Sequence, residues 1–427
     1  MKKRNTINLI LISFSVFFAG LSLSLLSPFY PSEALSKGVS VTKSGFVMGT
    51  VFITTIVFTP LFGMYMDCLG ARNFLIVGTF IVGLGNFAFG FLNKVQDANS
   101  FFALSILIRF ITAIGESAIT PSAVPLAGKQ VRKENEGKAI AAAEAGFGVG
   151  TMFGPTFGGY LYDLGGFSLP FYVSGIMMMS VSFVSFLFLE VEPKTYEHLN
   201  DTRKITWMLI FKSPGVLVSS FTLAFSGIAW AWYSASLEPF LYTTYGLSSS
   251  QTGLVFMTFG LTYTVFTPFF GFLTDRGLDG LVTMIIGNLL IATGFLFLGP
   301  IPPLKCLGSN LWLTVVSIGL QGLGSAATYL GTLMYMLKGT QRAGLPDTEQ
   351  TTGMVSSLWI VSDCAGGFIG SILGSAAFDT LGFEMGTMII FCAMIITVII
   401  VIGYYQQRKP IPSDSGTQEL TSVLYKI

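Results

Sequence analysis

The sequence predicts an all-α membrane protein with about twelve transmembrane helices, arranged in two pseudo-symmetric six-helix halves. Three observations support this fold class: the composition, the number of long apolar stretches, and the distribution of lysine and arginine. Of the 427 residues, 52% are hydrophobic and 11% are charged, and the mean hydropathy is +0.70. Soluble domains contain about a quarter charged residues, so this much apolar surface requires lipid.

About twelve apolar stretches are each long enough to cross roughly 30 Å of hydrocarbon. The first follows Lys2 to Arg4; it is longer than the apolar core of a signal peptide and lacks a small-residue cleavage site, so we interpret it as the first span. The stretches begin near residues 7, 44, 73, 100, 137, 169, 213, 250, 280, 310, 351 and 385.

Lysine and arginine are concentrated on one side of the predicted membrane. With twelve spans, the loops on the other side carry Lys37, Lys43, Lys94 and Lys305, and Arg109 lies within the fourth stretch. All the remaining basic residues fall on the side of the two termini. Because cytoplasmic loops collect Lys and Arg, we expect both termini in the cytoplasm.

The longest cytoplasmic connection divides the predicted spans six and six. We therefore expect an N-terminal six-helix bundle in residues 1–190 and a C-terminal one in residues 213–406. A cytoplasmic central loop in 191–212 joins them, and a cytoplasmic tail occupies 407–427.

The two predicted halves share motifs about 210 residues apart. Gly63 and Asp67, between spans two and three, correspond to Gly271 and Asp275, between spans eight and nine. The segment GPTFGGYLYDLGGF at 154–167 corresponds to GSILGSAAFDTLGF at 370–383. This pattern indicates a domain duplication, and in such folds the substrate path lies between the halves.

The fifth stretch has the composition of a transporter helix. Residues 141–163 contain Glu144, Pro155 and six glycines. Glycines let neighbouring helices approach closely in a bilayer, and a proline is tolerated where other groups satisfy the freed backbone carbonyl. An acid within a span is unfavourable and usually marks the path of a substrate or ion. This segment therefore indicates transport.

Four acids and one base fall within the predicted spans: Glu116, Glu144, Glu238 and Asp363, with Arg109. At least some of these acids therefore lack an ion-pair partner. A carboxyl group in a low-dielectric medium can exchange a proton or accept a cation in place of water, which is the chemistry of a proton/cation antiporter.

Several motifs resemble the major facilitator superfamily, and the resemblance covers nearly the whole chain. The segment Gly63 to Arg72 resembles the loop motif between its spans two and three, although Cys68 and Asn73 replace the usual basic residues. Arg109 and Gly115 resemble the fourth-span motif of its proton-coupled antiporters. The fifth span resembles the antiporter motif through Gly150, Gly154, Pro155, Gly158 and Gly159.

Other segments resemble the vesicular amine transporters. Residues 28–31 (PFYP) and 237–239 (LEP) carry this resemblance, and 30–40 and 249–275 are most similar to the vesicular polyamine transporter branch. Ala19 stands where monoamine and acetylcholine carriers have an aspartate, which argues against monoamine transport. The resemblance implies export of an organic cation into an acidic compartment in exchange for protons, with a polyamine as the substrate.

Three sets of candidate site residues follow. For proton coupling they are Arg109, Glu116 and Glu144. For substrate binding they are Glu238, Asp363, Trp232, Tyr233 and Trp359, since aromatic faces bind cations. For gating and close helix packing they are Gly63, Asp67, Arg72, Asp275, Gly150, Gly154, Pro155, Gly158 and Gly159.

Each candidate has a purely structural alternative. Arg109 can pair with Glu116, two helical turns along the same face, or with Glu144 in the next span. Glu238 lies near the non-cytoplasmic end of span seven, where it can be an interfacial residue. The aromatic residues can be packing or interface anchors.

Other functions fit the sequence less well. The single histidine, His198, lies in the central loop, and no Ser/His pair or acidic pair suggests a membrane enzyme. Duplicated halves with proline-broken helices suit alternating access better than a channel. A broader multidrug/proton antiporter at the plasma membrane, or a receptor or scaffold that keeps the fold without transport, remains an alternative.

The expected partners are a small organic cation, protons and the lipid bilayer. The formal net charge of +1 gives no indication of nucleic-acid binding, and the four scattered cysteines give none of a metal. We expect no cofactor, a monomer, and a secretory or synaptic-type vesicle membrane or the plasma membrane as the location.

Overall fold

Twelve long helices, each of 19 to 32 residues, make up the described part of the molecule. The computed structural model describes residues 3–130, 136–189, 213–299, 310–342 and 349–407. The predicted central loop and the tail after Gln407 lie outside these ranges. Within them, the side chains of the following residues are also outside the description: Lys3, Arg4, Asp67, Cys68, Glu136, Gly137, Lys138, Ile140, Ala141, Ala142, Glu144, Asp275, Gln341, Arg342, Glu349 and Gln350.

Six long helices form each half. The first half contains α1 (Lys3–Ser24), α2 (Val41–Leu69), α3 (Ala71–Gly90), α4 (Ala98–Lys129), α5 (Glu136–Gly165) and α6 (Ser168–Phe188). The second half contains α7 (Pro214–Tyr245), α8 (Ser249–Asp275), α9 (Gly280–Leu298), α10 (Leu311–Arg342), α11 (Glu349–Thr380) and α12 (Phe383–Gln407). A short helix, Tyr30–Ser36, precedes α2, and a 3₁₀ turn, Phe91–Lys94, follows α3.

The all-α membrane fold expected from the sequence is confirmed. Among the described residues, eleven helices are long and apolar enough to cross a membrane. The twelfth, α5, has 30 residues, several with undescribed side chains. With twelve consecutive crossings, α1 begins and α12 ends on one side of the bundle, called here the terminal side; the opposite side is called the far side.

Short polar side chains cap three of the helices that begin on the far side. Ser40 accepts a hydrogen bond from the Lys43 amide at the start of α2, and Asp97 accepts one from the Ser100 amide at the start of α4. Ser248 forms a reciprocal capping box with Gln251 at the start of α8. These caps satisfy amide groups that have no partner within the helix.

Turns that need a left-handed backbone recur in both halves. Glycines with positive φ angles occupy three equivalent pairs of positions: Gly38 and Gly246, Gly70 and Gly277, and Gly166 and Gly382. Residues with a Cβ atom rarely adopt this conformation, so glycine is required at these turns. The recurrence agrees with the duplication predicted from sequence.

A stripe of glycines lets α5 lie directly against the backbone of α1. A Cβ atom on Gly150 would collide with the carbonyl oxygen of Phe17, and one on Gly154 would lie 2.8 Å from that of Leu21. Such close approach is the usual way in which helices gain contact in lipid, where helix association has no hydrophobic driving force. The antiporter-like motif of α5 therefore packs α5 against α1.

The same arrangement recurs between α7 and α11. Gly366, Gly370 and Gly374 stand 216 positions after Gly150, Gly154 and Gly158 in the sequence. Cβ atoms at these three glycines would collide with, or crowd, the α7 backbone at Ala224, Ile228 and Trp232. The two halves are thus built around equivalent helix pairs, α1–α5 and α7–α11.

Two equivalent helix pairs join the halves: α2 with α11, and α5 with α8. Their close contacts lie toward the far side. A Cβ atom on Gly49 would lie 2.7 Å from the Ser371 hydroxyl, and one on Gly253 would lie 2.5 Å from the Pro155 carbonyl. Gly159 likewise packs against the backbone of Ser249.

The terminal-side portions of these helices are not packed in this way. Cβ atoms on Gly63 of α2, Gly148 of α5 and Gly353 of α11 would have no neighbouring atom within 4 Å. Met64 and Tyr65, near the end of α2, are exposed. In the described part of the chain, the halves therefore pack together on the far side and leave these terminal-side positions open.

Substitution of one glycine in α5 tests the packing. We expect Gly150→Ala to destabilise the protein by about 1–3 kcal/mol, because the added methyl group must push α1 away. Gly148→Ala is the matched control; its methyl group enters open space, and alanine favours a helix by about 0.5–1 kcal/mol over glycine. Thermal unfolding of the two purified variants should give a lower Tm for Gly150→Ala alone, and equal Tm values would contradict this packing.

Candidate functional site

A cavity of about 30 Å³ lies between the two halves. It has roughly the room of one or two water molecules. Helices α1, α2 and α4 contribute from the first half, and α7 and α11 from the second. The lining residues are Leu23, Leu26, Ser27, Met48, Phe52, Arg109, Trp230, Ala231, Ser234 and Ser371.

Arg109 of α4 is the charged residue of this lining. Its side chain is 3% exposed, and its Nε and Nη1 atoms have no hydrogen-bond partner among the described residues. The fully buried hydroxyl groups of Tyr30 and Ser105 lie near it and near each other. The first-half wall of the cavity therefore includes one positively charged residue, with two further buried hydroxyl groups close to it.

Among the described residues, Arg109 forms no ion pair with Glu116, and its predicted alternative partner Glu144 has a side chain outside the description. Glu116 lies deeper toward the terminal side near Ser22, and its Oε1 atom has no hydrogen-bond partner. The Glu144 side chain lies outside the described residues, but its neighbour Gly146 packs against α1 at Ser13. Arg109 lines the cavity together with Leu23 and Ser27, which lie at the far-side end of α1 and just beyond it.

Asp363 lies in the middle of α11, where it is partly exposed between helices of the second half. Its Oδ1 atom accepts a hydrogen bond of 2.5 Å from the Tyr329 hydroxyl of α10. Trp359, one helical turn before Asp363, has its ring centroid 5.6 Å from that of Tyr329. The Trp359 indole donates to the Thr332 hydroxyl at 3.2 Å, which fixes its orientation.

Sequence reasoning did not identify Tyr329. Tyr263 of α8, also not identified, places its ring 6.1 Å from that of Tyr329 in an edge-on contact. The only available signal was the presence of tyrosines in the middle of spans eight and ten. Together with Trp359 these rings form an aromatic cluster that meets the Asp363 carboxylate at Tyr329, an arrangement that suits an organic ammonium group.

The structure places Trp232 and Tyr233 in the core of the second half. Trp232 is 1% exposed and packs against Phe295 and Phe383, while Tyr233 packs against Phe256 and Phe259. A different tryptophan reaches the cavity between the halves. Trp230 lines it and makes an edge-on contact, at 5.9 Å between centroids, with Phe52 of the first half.

Glu238 is not part of the cavity lining. Its side chain is 3% exposed, and Oε2 accepts a hydrogen bond of 3.2 Å from the Ser32 amide in the short helix of the first half. Nearby, the Tyr162 hydroxyl donates to Glu33 at 2.7 Å. In this conformation Glu238 therefore links the two halves on the far side.

Two further carboxylates link the halves at equivalent positions. Asp379, at the end of α11, accepts hydrogen bonds from the Thr42 amide at 2.8 Å and from its hydroxyl at 2.6 Å, at the start of α2. Asp163, at the end of α5, accepts from the amide of Ser250 at 2.9 Å and from its hydroxyl, at the start of α8. A carboxylate at a helix N-terminus is favourable because unpaired amides and the helix dipole meet it there.

The remaining motif residues lie on the terminal side or in helix contacts. Arg72 donates from Nε to the Leu189 carbonyl and from Nη2 to the Phe186 carbonyl at 2.6 Å, which ties the start of α3 to the end of α6. Gly63 borders open space. The side chains of Asp67 and Asp275 lie outside the described residues, so their predicted gating role stays a prediction.

The comparisons with known proteins agree with this architecture. The profile of the Major Facilitator Superfamily matches residues 12–233 and 219–425. The chain is similar in fold to a bacterial homologue of the human lysosomal transporter Spinster, solved in an inward-facing and unoccupied conformation. The TM-score is 0.72 at 16% identity, covering 95% of this chain and 97% of the other.

Among curated proteins, the chain is similar to the MFS-type transporter SLC18B1 of Rattus norvegicus. The two are 30% identical over 372 residues, which is 86% of this chain and 80% of that protein. The chromaffin granule amine transporter of Homo sapiens is 23% identical over 377 residues, covering 87% of this chain and 66% of that protein. The chain belongs to the major facilitator superfamily and, within it, is a relative of the transporter SLC18B1.

Proposed function

We propose that the protein exchanges a polyamine-like organic cation for protons by alternating access. The observation that carries the proposal is Asp363, partly exposed in the middle of α11 and bonded to Tyr329, on which the rings of Trp359 and Tyr263 pack. A carboxylate neutralises the charge of an ammonium group. Aromatic ring faces attract the same ammonium group without forming hydrogen bonds to it. The name of the chromaffin granule amine transporter supports an amine as the substrate class.

Alternating access requires halves that separate on one side at a time. The three links on the far side, made by Glu238, Asp163 and Asp379, join opposite halves and hold that side closed. The terminal-side glycines described above border open space. This conformation therefore supports entry of a substrate from the terminal side and release on the far side after the links break.

Proton coupling rests on acids within the membrane. Glu116 is buried beside the polar layer of α1 and α3, where Ser22 and Asn86 donate to each other, and one carboxyl oxygen of Glu116 is unpaired. Glu144 is proposed for the same proton-coupling role on the basis of the sequence alone. A proton taken up by such a group compensates the charge of a departing cation, so the two can be exchanged in opposite directions.

The Lys and Arg asymmetry supports cytoplasmic termini, so the far side corresponds to the lumen of a vesicle or the cell exterior. Uptake into an acidic vesicle fits an exchange in which protons leave as the amine enters. The proposed partners are thus the amine, protons and the bilayer, with the protein acting as a monomer.

Uptake into proteoliposomes tests the proposal. With an acidic interior, we expect labelled spermidine to accumulate, and accumulation to collapse when the proton gradient is dissipated. Glu144→Gln should nearly abolish gradient-driven uptake, because the amide keeps the shape and removes the titrating group. Serotonin and acetylcholine serve as comparison substrates. Spermidine uptake that is the same with and without the proton gradient would contradict antiport.

Binding of spermidine to the purified protein tests the aromatic site. We expect Asp363→Asn to weaken binding about ten- to a hundredfold, since a hydrogen bond to a charged group contributes about 1.5–3 kcal/mol. Tyr329→Phe, which removes only the hydroxyl group, should weaken it about three- to tenfold. Asp97→Asn removes an acid that caps α4 within the first half, so it is the control. Equal affinities for Asp363→Asn and the control would exclude Asp363 as a ligand.

Accessibility of the cavity tests the far-side links. In a background with the native cysteines replaced, Ser234→Cys reports on the cavity, and Asp163→Ala with Asp379→Ala removes two links. Each link contributes about 0.3–1 kcal/mol, so the open population should rise severalfold, and with it labelling by an impermeant thiol reagent outside intact cells.

The control for this measurement is Asp97→Ala, which removes a helix cap but no link between halves. Unchanged labelling in the double variant would show that these carboxylates do not close the far side. Strong labelling before any link is removed would indicate that the termini face the exterior, contrary to the proposed orientation.

A further inference from the structure

Thr332 of α10 contacts two members of the aromatic cluster next to Asp363. Its hydroxyl group accepts a hydrogen bond of 3.2 Å from the Trp359 indole and donates one of 2.8 Å to the Tyr329 carbonyl. Because the hydroxyl hydrogen is used by Tyr329, a lone pair of the same oxygen is available to accept from Trp359. One threonine hydroxyl thus joins the Tyr329 backbone to the Trp359 ring.

The Thr332 bond is one of two consecutive links between α10 and α11. Residues three or four apart on a helix lie on the same face, as Thr332 and Tyr329 do on α10 and Trp359 and Asp363 do on α11. Thr332 meets Trp359, and Tyr329 meets Asp363. The two links share one register, so the Thr332 bond helps to keep the Tyr329 hydroxyl opposite the Asp363 carboxylate.

Exposure separates Thr332 from the groups that can touch a ligand. Asp363 and the rings of Tyr329, Trp359 and Tyr263 are all partly exposed. Thr332 is 0% exposed, so an amine cannot contact it while the helices stay packed. Thr332 can therefore act on an amine only through the groups that it holds, which makes it a positioning residue.

The duplication places a different kind of residue at this position in each half. Thr328 of α10 crowds against a glycine of α9, as Thr112 of α4 does against a glycine of α3. Thr328 follows Thr112 by 216 positions, and the same offset relates Thr332 to Glu116. The second half thus carries a neutral hydroxyl group where the first half carries an acid, and the negative charge of the aromatic cluster comes from Asp363.

We propose that Thr332 sets the affinity for amine at the Asp363 site by holding the Trp359 ring in place before the amine binds. The inference rests on the proposed function, because it takes the ligand to be an organic ammonium group. Such a group binds over a ring face, within about 6 Å of the centroid, so the orientation of the ring decides whether its face is presented. Trp359 lies edge-on to Tyr329, with 5.6 Å between the ring centroids and 82° between the ring planes. A ring that is already ordered loses less side-chain freedom on binding, which strengthens binding.

Spermidine binding to the purified full chain tests the proposal. Thr332→Val keeps the shape of the side chain and removes the hydroxyl group, so we expect the affinity to fall about three- to tenfold. Thr332→Ser keeps the hydroxyl group and should bind within about twofold of the unsubstituted protein. Thr397→Val is the matched control, since Thr397 of α12 is also fully buried and donates to a carbonyl of its own helix. Its affinity should not change.

A double-mutant cycle separates positioning from a general loss of stability. If Thr332 acts through Trp359, Thr332→Val should weaken spermidine binding little further in a Trp359→Phe background, so the two losses should not add. The proposal is overturned by fully additive losses, by unchanged affinity in Thr332→Val, or by an equal loss in Thr332→Ser.

Fluorine NMR of the fluorotryptophan-labelled protein reports the ring position without any amine. The Trp359 signal is the one that Trp359→Phe lacks. It should shift or broaden in Thr332→Val and stay in place in Thr332→Ser and Thr397→Val. A Trp359 signal that is unchanged in Thr332→Val would overturn this inference alone, whereas failure of the unsubstituted protein to bind spermidine would overturn the proposed function.

Discussion

Close backbone contact at glycine is the constraint on which the rest of this structure depends. In lipid each helix satisfies its own backbone hydrogen bonds, and apolar side chains gain little by leaving the lipid for one another. Gly150 and Gly154 let α5 touch α1, and Gly366 and Gly370 let α11 touch α7. These pairs fix the depth and rotation of four central helices, and therefore which side chains face the space between the halves.

The duplicated scaffold carries an unequal distribution of charge. The first half presents Arg109 and Glu116, and the second presents Asp363 within an aromatic cluster. Equivalent helix packing thus supports different chemistry in the two halves.

Three links close the far side between the halves, and two of them are equivalent by the duplication. Asp163 and Asp379 are equivalent by duplication, and each meets the N-terminus of a helix from the other half. Glu238 adds a third link, to the Ser32 amide, and the equivalent position in the first half carries Pro31, which has no carboxylate. In all three links a carboxylate of one half accepts a hydrogen bond from a backbone amide of the other half.

The sequence by itself determined the fold class, the approximate start of every span, the duplication and the glycine faces, because hydropathy and repeat spacing are local properties of the chain. It also identified Arg109, Glu116, Glu238 and Asp363 as unusual. A charged residue within an apolar stretch can be recognised without knowing which residues surround it in space. Only the tertiary structure decided which groups meet. It paired Glu238 with Ser32, placed Trp230 rather than Trp232 at the cavity, and brought Tyr329 to Asp363. These contacts depend on the rotation and depth of helices far apart in sequence, which are set by the packing of whole helix faces and not by any local pattern.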